Sequence, residues 1–278
     1  MLVRLIKLAQ KTATILLTRN TYGRRYMLRR VLELSQLHAH PIDVYYNIRT
    51  SGFIPNFLND SGANIAKIAS RENNHYAGCQ PSCLRKALQS LPDTSEFVFY
   101  DYGCGMGRAL ATASEFAFRA LIGVELSKEL CAIAVENARS IADSFPERAH
   151  ISVKQGDAIA VELHGDKLVI FMYHSFGRAT LTSIINKLEK LVKVGRDIFV
   201  IFENPVNGDL LEQSTQFGRW YAEQVPCDVE EISHHSDAND GFVVWRSINT
   251  ITADRSAYNK FEILITKPTW RAEVIRSD

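Results

Sequence analysis

Apolar positions along the chain recur with two different periods, and the change falls near residue 95. Before it, residues 1–95 read mostly as helix, broken by the Gly-, Pro- and Asn-rich stretch "TSGFIPNFLNDSG". The opening "MLVRLIKLAQKTATILLT" sets Arg4, Lys7 and Lys11 on one helical face, with Leu2, Ile6, Ala9 and Leu16 broadly opposite. That is the pattern of an amphipathic helix packed on its own domain; a membrane-surface helix or an organellar transit peptide is the weaker reading. A cleavable secretory signal does not fit, because Lys7 and Lys11 interrupt the apolar stretch and no small-residue cleavage site follows. "QPSCLRKALQSLP" predicts a short helix with Pro81 in its first turn and Pro92 beyond its end.

From Phe97 onward, short apolar runs alternate with helical periodicity. "FVFYDY", "ALIGVEL", "ISVKQGD", "KLVIFMYH" and "DIFVIFENP" predict five strands. Helices are predicted from about Met106 to Phe116, from about Lys128 to Asp143, and over "ATLTSIINKLEKLVKVG". Strand, helix, strand at this spacing implies right-handed crossovers and a parallel sheet covered by helices on both faces. In the tail, "DVEEISHH" and "GFVVWRSIN", separated by "SDAND", predict an antiparallel pair at the sheet edge, and "KFEILITKP" one further strand. No internal repeat or low-complexity segment stands out.

Composition narrows the class. Of 278 residues, 46% are apolar and 23% charged, ordinary for a globular protein. The net charge of +1 hides an asymmetry. Residues 1–30 hold eight basic side chains and no acid, which leaves 24 basic against 31 acidic for the remainder. An acidic domain with a basic N-terminal arm is not a general polyanion binder, so nucleic acid is not the expected partner. Five cysteines, an odd number without a dense framework, suit a reducing, cytoplasmic setting. Cys79 and Cys83 are followed by no His/Cys pair at ligand spacing, so no metal is expected. No run approaches the ~18 to 20 apolar residues that span a bilayer.

The chemistry concentrates behind the first strand, in "YDYGCGMGR". In an open parallel sheet, ligands lie beyond the carboxyl ends of the strands, and Gly103, Gly105 and Gly107 remove side chains where a loop must come close to one. The helix that follows turns its positive end the same way. A dinucleotide site needs Gly-x-Gly-x-x-Gly, whereas the spacing here is Gly103-x-Gly105-x-Gly107 with Arg108 in the dinucleotide position. Asp101, inside the strand end, would repel a pyrophosphate but suits an ammonium group. S-adenosyl-L-methionine carries that ammonium and no phosphate. Glu125 ends the second strand about twenty residues on, where a carboxylate accepts from ribose hydroxyls. Asp157 follows the third, where it accepts from the adenine amino group.

Asp101-x-Gly103-x-Gly105-x-Gly107-Arg108, with "FRALIGVELSKELCAIAVENA" and "QGDA", resembles the class I S-adenosylmethionine-dependent methyltransferases. "RTSGFI" and "NNHYAGCQPS" are similar to bacterial members of unassigned substrate that have a basic helical N-terminus. The resemblance covers most of residues 40–250. It implies a Rossmann-like, doubly wound, seven-stranded, mostly parallel sheet with an antiparallel last strand. It divides the chain into a helical N-terminal extension and lid, 1–95, and a cofactor-binding methyltransferase domain, 96–278. It also implies that the segment around Tyr76 closes over the cofactor, and that Cys104, Leu126 and Ala158 join Tyr76, Asp101, Gly103, Gly105, Glu125 and Asp157 in holding it. Two departures stand out. Met106 replaces a usual Lys, which alters the loop's surface, and His174-Ser175-Phe176 replaces Asn-Pro-Phe after the fourth strand.

Methyl transfer is an in-line displacement that needs an aligned nucleophile, a dry site and, where the acceptor arrives protonated, a base. His174 is the candidate base and Tyr173 its wall or hydrogen-bond partner; an imidazole titrates about pH 6.5 in water. The competing role for His174 is to hydrogen-bond the loop or shape the pocket. Without the Asn- or Asp-Pro grip on a planar amine at 174–175, the expected acceptor is a small molecule or a peptide or protein side chain. Asn204-Pro205 either compensates for that grip or simply turns the chain. His234, His235 and Asp237 read as a polar turn, and Trp220, Tyr221 and Trp245 as core or pocket wall. The alternatives are a non-catalytic S-adenosylmethionine-binding protein and an NAD(P)-dependent oxidoreductase.

Overall fold

The computed structural model describes residues 21–54, 76–232, 239–248, 261–267 and 271–276. The amphipathic segment of residues 1–20, the Asn73-Asn74-His75 part of the segment before Tyr76, and the turn at His234, His235 and Asp237 lie outside the described residues.

Helices α1 (Thr21–Ser35), α2 (Pro41–Tyr46) and α3 (Pro81–Gln89) precede the first strand. Then come β1 (Val98–Tyr102), α4 (Arg108–Ala113), β2 (Ala120–Glu125), α5 (Lys128–Ser144), β3 (Ile151–Gln155), β4 (Lys167–Tyr173), α6 (Arg178–Lys193) and β5 (Asp197–Glu203). The one-turn α7 (Asp209–Glu212), β6 (Phe217–Pro226) and β7 (Asn239–Ser247) complete the main sheet, and β8 (Phe261–Lys267) pairs with β9 (Arg271–Arg276) in a separate hairpin. The seven strands run in the order β3-β2-β1-β4-β5-β7-β6. β1 to β5 pair in parallel, and β7 is antiparallel to both β5 and β6. This is the expected Rossmann-like, doubly wound, mostly parallel sheet with its last strand antiparallel. Among the described residues no helix is long and apolar enough to cross a membrane.

Strand periodicity splits the core in two. Phe99, Leu121, Val169, Phe171, Phe199, Ile201 and Val244 face one side and bury against Leu84 and Leu88 of α3, Leu110 of α4, and Ala134 and Ile141 of α5. Tyr100, Leu168, Ile170, Val200, Phe202 and Val243 face the other and bury against Leu181, Ile184, Ile185 and Leu188 of α6. Continuous apolar strands such as "VFYDY", buried at every position, are what a sheet covered on both faces requires.

Three expectations are corrected. The partner of β7 is not "DVEEISHH" but Phe217–Pro226, pairing from Phe217↔Ser247 to Pro226↔Asn239. Pro226 ends that strand because it has no N–H to extend the ladder, and the acids after it fold into a turn closed by Glu231 N–H to Asp228 O at 2.8 Å. Met106, expected at the loop surface, is fully buried against Leu28, Ile54, Tyr76 and Leu130. Its side chain joins α1 to the glycine loop, where a lysine would carry a charge into an apolar cluster. The helix behind the loop is also shorter than its pattern suggests, beginning only at Arg108 because Gly107, at φ +88°, turns the chain first.

Candidate functional site

The sheet reverses its order between β1 and β4, and the carboxyl ends of β2, β1, β4 and β5 there end in Glu125, Asp101-Tyr102, Tyr173 and Glu203. Alternation puts Glu125, Asp101, Tyr173 and Glu203 on one face, the face that carries α3, α4 and α5. Asp101 is 3% exposed, and among the described residues its carboxylate accepts no hydrogen bond. Burial, and then the charge of Glu125, pushes its carboxyl well above the ordinary range. Glu125 is better matched: Oε2 accepts from Gly105 N–H and Oε1 from Ser127 N–H, both at 2.8 Å. Burial raises its carboxyl too, while the N–H groups of Ser127, Gly105 and Leu126 draw it back.

The glycine loop is held by its own strand neighbours. Gly103 and Cys104 donate to Val124 O at 2.9 and 3.1 Å, and Gly107 donates to Cys104 O. The Cys104 thiol turns inward toward Gly123, so Cys104 offers this edge only backbone. At Gly103 (φ +78°), an added Cβ would meet Oγ of Ser175 at 2.8 Å. At Gly105 (φ +53°), it would overlap the ring of Tyr76. Tyr76 therefore covers the loop at Gly105, which is buried, whereas Gly103 beside Ser175 stays exposed.

Tyr76 is anchored from below. Its hydroxyl donates to Thr50 O at 2.6 Å, and its backbone bridges Ile54 in both directions. Thr50 O also accepts from Nη2 of Arg108 at 2.9 Å, Thr50 Oγ1 accepts from Nε at 2.8 Å, and Cys79 O accepts from Nη1. Behind them, the Asp43 carboxylate accepts from the backbone N–H and the hydroxyl of both Thr50 and Ser51. The sequence marked Arg108 only as a break in a dinucleotide pattern. Its buried guanidinium in fact ties Thr50 and Cys79 to the start of α4, a role that only the long-range contacts reveal.

After β4 and β5 the chain turns through two left-handed residues that are not glycine, His174 (φ 37°) and Asn204 (φ 47°). Tyr173 and Glu203 are register partners, so these turns sit side by side, with Asn204 Nδ2 3.4 Å from His174 Nδ1. Residues held in this region cost roughly 1–3 kcal/mol each and cluster at functional sites. Tyr173 is half-buried, and burial raises its phenol well above the ordinary range. On the opposite flank Gly156 N–H donates to Glu125 O, which sets Asp157 beside β2. Asp157 Oδ1 accepts from Ile159 N–H at 2.9 Å, and Lys187 of α6 reaches the carbonyls of Ala158, Ile159 and Val161. Ala158 is buried, whereas Leu126 and Asp157 are partly open to solvent.

Glu203 was read from sequence only as a strand end. It is fully buried, with Oε1 accepting from Gln80 N–H at 2.8 Å and Oε2 without a partner among the described residues. Trp245 is wholly core and donates to Glu212 at 2.8 Å. Trp220 donates to Ser90 O and packs edge-on against Phe199, and with Tyr221 it walls a surface hollow away from these strand ends.

No protein-family model and no curated protein matches the sequence. Solved structures are similar in fold. One is the YcgJ protein of Bacillus subtilis, 12% identical over 59% of this chain and 97% of its own, with a TM-score of 0.42. The tRNA methyltransferase TrmK of B. subtilis is 16% identical over 66% and 70%, with a TM-score of 0.44. A geranyl diphosphate methyltransferase in complex with GPP and sinefungin is 12% identical over 59% and 77%, with a TM-score of 0.40.

Proposed function

We propose that the protein is an S-adenosyl-L-methionine-dependent methyltransferase that moves the methyl group, by direct in-line transfer, to a small molecule or to a peptide or protein side chain. Asp101 carries this assignment. A carboxylate this deeply buried, with no hydrogen bond among the described residues, is costly to keep, and a cation supplied by a ligand offsets that cost. A pyrophosphate at the same place would meet two buried acids.

The remaining residues fit the other parts of such a ligand. Glu125 uses one acceptor position on each oxygen for Gly105 and Ser127, and a carboxylate has about four, so its free positions suit a pair of ribose hydroxyls. Asp157 suits the adenine amino group, with Leu126 and Ala158 framing the ring. Gly103, Cys104 and Gly105 present backbone, and Tyr76 forms the wall over Gly105. When bound, the cofactor supplies a methyl carbon on a cationic sulfonium. Tyr173 shields the strand ends from water, and His174 takes the proton that the acceptor's nucleophile gives up.

Calorimetric titration with S-adenosylmethionine, S-adenosylhomocysteine and NADH tests the assignment. The first two are expected to bind and NADH is not; NADH binding without the others overturns it. An acceptor screen that reads S-adenosylhomocysteine release then separates enzyme from non-catalytic binder.

A further inference from the structure

Three buried acids lie along the same face as the candidate site, and two of them, Asp101 and Glu125, are absorbed by the cofactor reading. The third is Glu203, two strands from Asp101 and beside Tyr173. Its Oε1 has a structural task, receiving the Gln80 N–H at the start of α3, but its Oε2 is sealed from water with no partner among the described residues. An unmatched buried oxygen costs about 1–3 kcal/mol, more when charged. Its surroundings compound that cost. Asp240 at the start of β7 and Glu231 in the preceding turn both add negative charge, and Arg108 opposes them weakly from α4. The Tyr173 phenol feels Asp240, Glu203, Cys79 and Cys83 together, so these groups share one neighbourhood. Glu231 has its own structural partner, since Ser82 Oγ donates to its Oε2 at 2.6 Å. Acids from two elements, Glu203 of β5 and Asp240 of β7, thus converge on a phenol at the end of β4, one residue before the left-handed turn at His174.

We infer that the unpartnered oxygen of Glu203, beside Tyr173 at the ends of β5 and β4, anchors a cationic alkylammonium group of the methyl acceptor. This rests on the methyltransferase reading for the word acceptor and on the Glu203 environment for the charge. The ammonium brings a charged donor to that oxygen, and Tyr173 supplies an aromatic face for its carbon stem. Burial and Asp240 hold the Glu203 carboxyl well above its ordinary range; docking a cation lowers it again, and a proton held there leaves to solvent.

The test titrates Nα-acetyl-lysine amide and its uncharged counterpart, Nα-acetyl-norleucine amide, into the protein with and without saturating S-adenosylhomocysteine. The lysine probe is expected to bind at least about tenfold more tightly, in keeping with a hydrogen bond to a charged group. Titration in buffers of different ionisation heat is expected to show release of up to one proton. Glu203→Gln keeps an oxygen for Gln80 and removes the charge, so it is expected to abolish both the preference and the proton release, with a melting temperature no lower than wild type and S-adenosylhomocysteine affinity held. No preference in the wild type, or a preference that survives Glu203→Gln, overturns the inference. Failure of S-adenosylhomocysteine to bind while the lysine preference persists overturns the methyltransferase reading alone and leaves the cation site standing.

Discussion

The side-chain amide of Asn204 lies 3.4 Å from Nδ1 of His174, joining the turns that end β5 and β4. The partnership decides what His174 can do. With the amide nitrogen donating to Nδ1, the neutral ring carries its hydrogen on Nε2 and offers a donor to the cleft. With the amide reversed, Nδ1–H donates to the carbonyl oxygen and Nε2 becomes the base. His174→Ala is expected to lower kcat by about 10²- to 10⁴-fold with S-adenosylhomocysteine affinity intact. Asn204→Asp, which can only accept from Nδ1–H, is expected to fix Nε2 as the base and to move the acid limb of the kcat profile to higher pH. Unchanged turnover in His174→Ala removes the base assignment.

Gly105→Ala drives a methyl into the Tyr76 ring at a backbone angle that L-residues resist. Overpacking together with left-handed strain predicts a loss of about 2–4 kcal/mol. Trimming Tyr76 to Ala in the same chain is expected to recover the overpacking part, leaving the strain. A denaturant double-mutant cycle measures the coupling, and simple additivity would show that the ring does not lean on the loop.

Asp101→Asn separates binding from stability. The amide has no charge to bury, so the melting temperature at pH 8 is expected to hold or rise, while S-adenosylmethionine affinity falls by about 10- to 100-fold, the scale of a charged hydrogen bond. A variant that loses stability and keeps affinity would place Asp101 in the scaffold instead of the site.

Asp101, Glu125 and Glu203 all have carboxyls raised in the folded chain, by burial first. Between their ordinary values and the raised ones, the folded state holds protons that the unfolded state has released. Stability is then fully present below the ordinary carboxylate range and falls as pH rises through the raised values. The melting temperature is expected to decline from pH 5 to pH 8, and the decline to flatten in Glu203→Gln. A curve that rises with pH over that interval contradicts the burial of these acids.

The sheet was legible because β1, β2, β4 and β5 are uninterrupted apolar runs with glycine or acidic punctuation, and only a sheet buried on both faces tolerates them. β6 was not, because Arg219 and Glu223 interleave with Trp220 and Ala222 on an edge strand that shifts register between Arg219 and Tyr221. Local pattern favoured the later "DVEEISHH", where Pro226 had already closed the ladder. Within the site, Asp101 and Glu125 could be read from position alone, since a strand end fixes where a residue must be. Arg108 and Glu203 could not, because each takes its meaning from partners far along the chain: Thr50 for one, Gln80 for the other.

Gln80 and Ser82, at the leading end of α3, are gripped by Glu203 and Glu231, side chains that follow them by 123 and 149 positions. During synthesis the start of α3 therefore waits for these two carboxylates until most of the chain has been made. Contacts this distant in sequence slow the search for the native arrangement and extend the time that half-built intermediates stay exposed. A chain released early from the ribosome would therefore carry the glycine loop but leave the start of α3 without its two carboxylate partners.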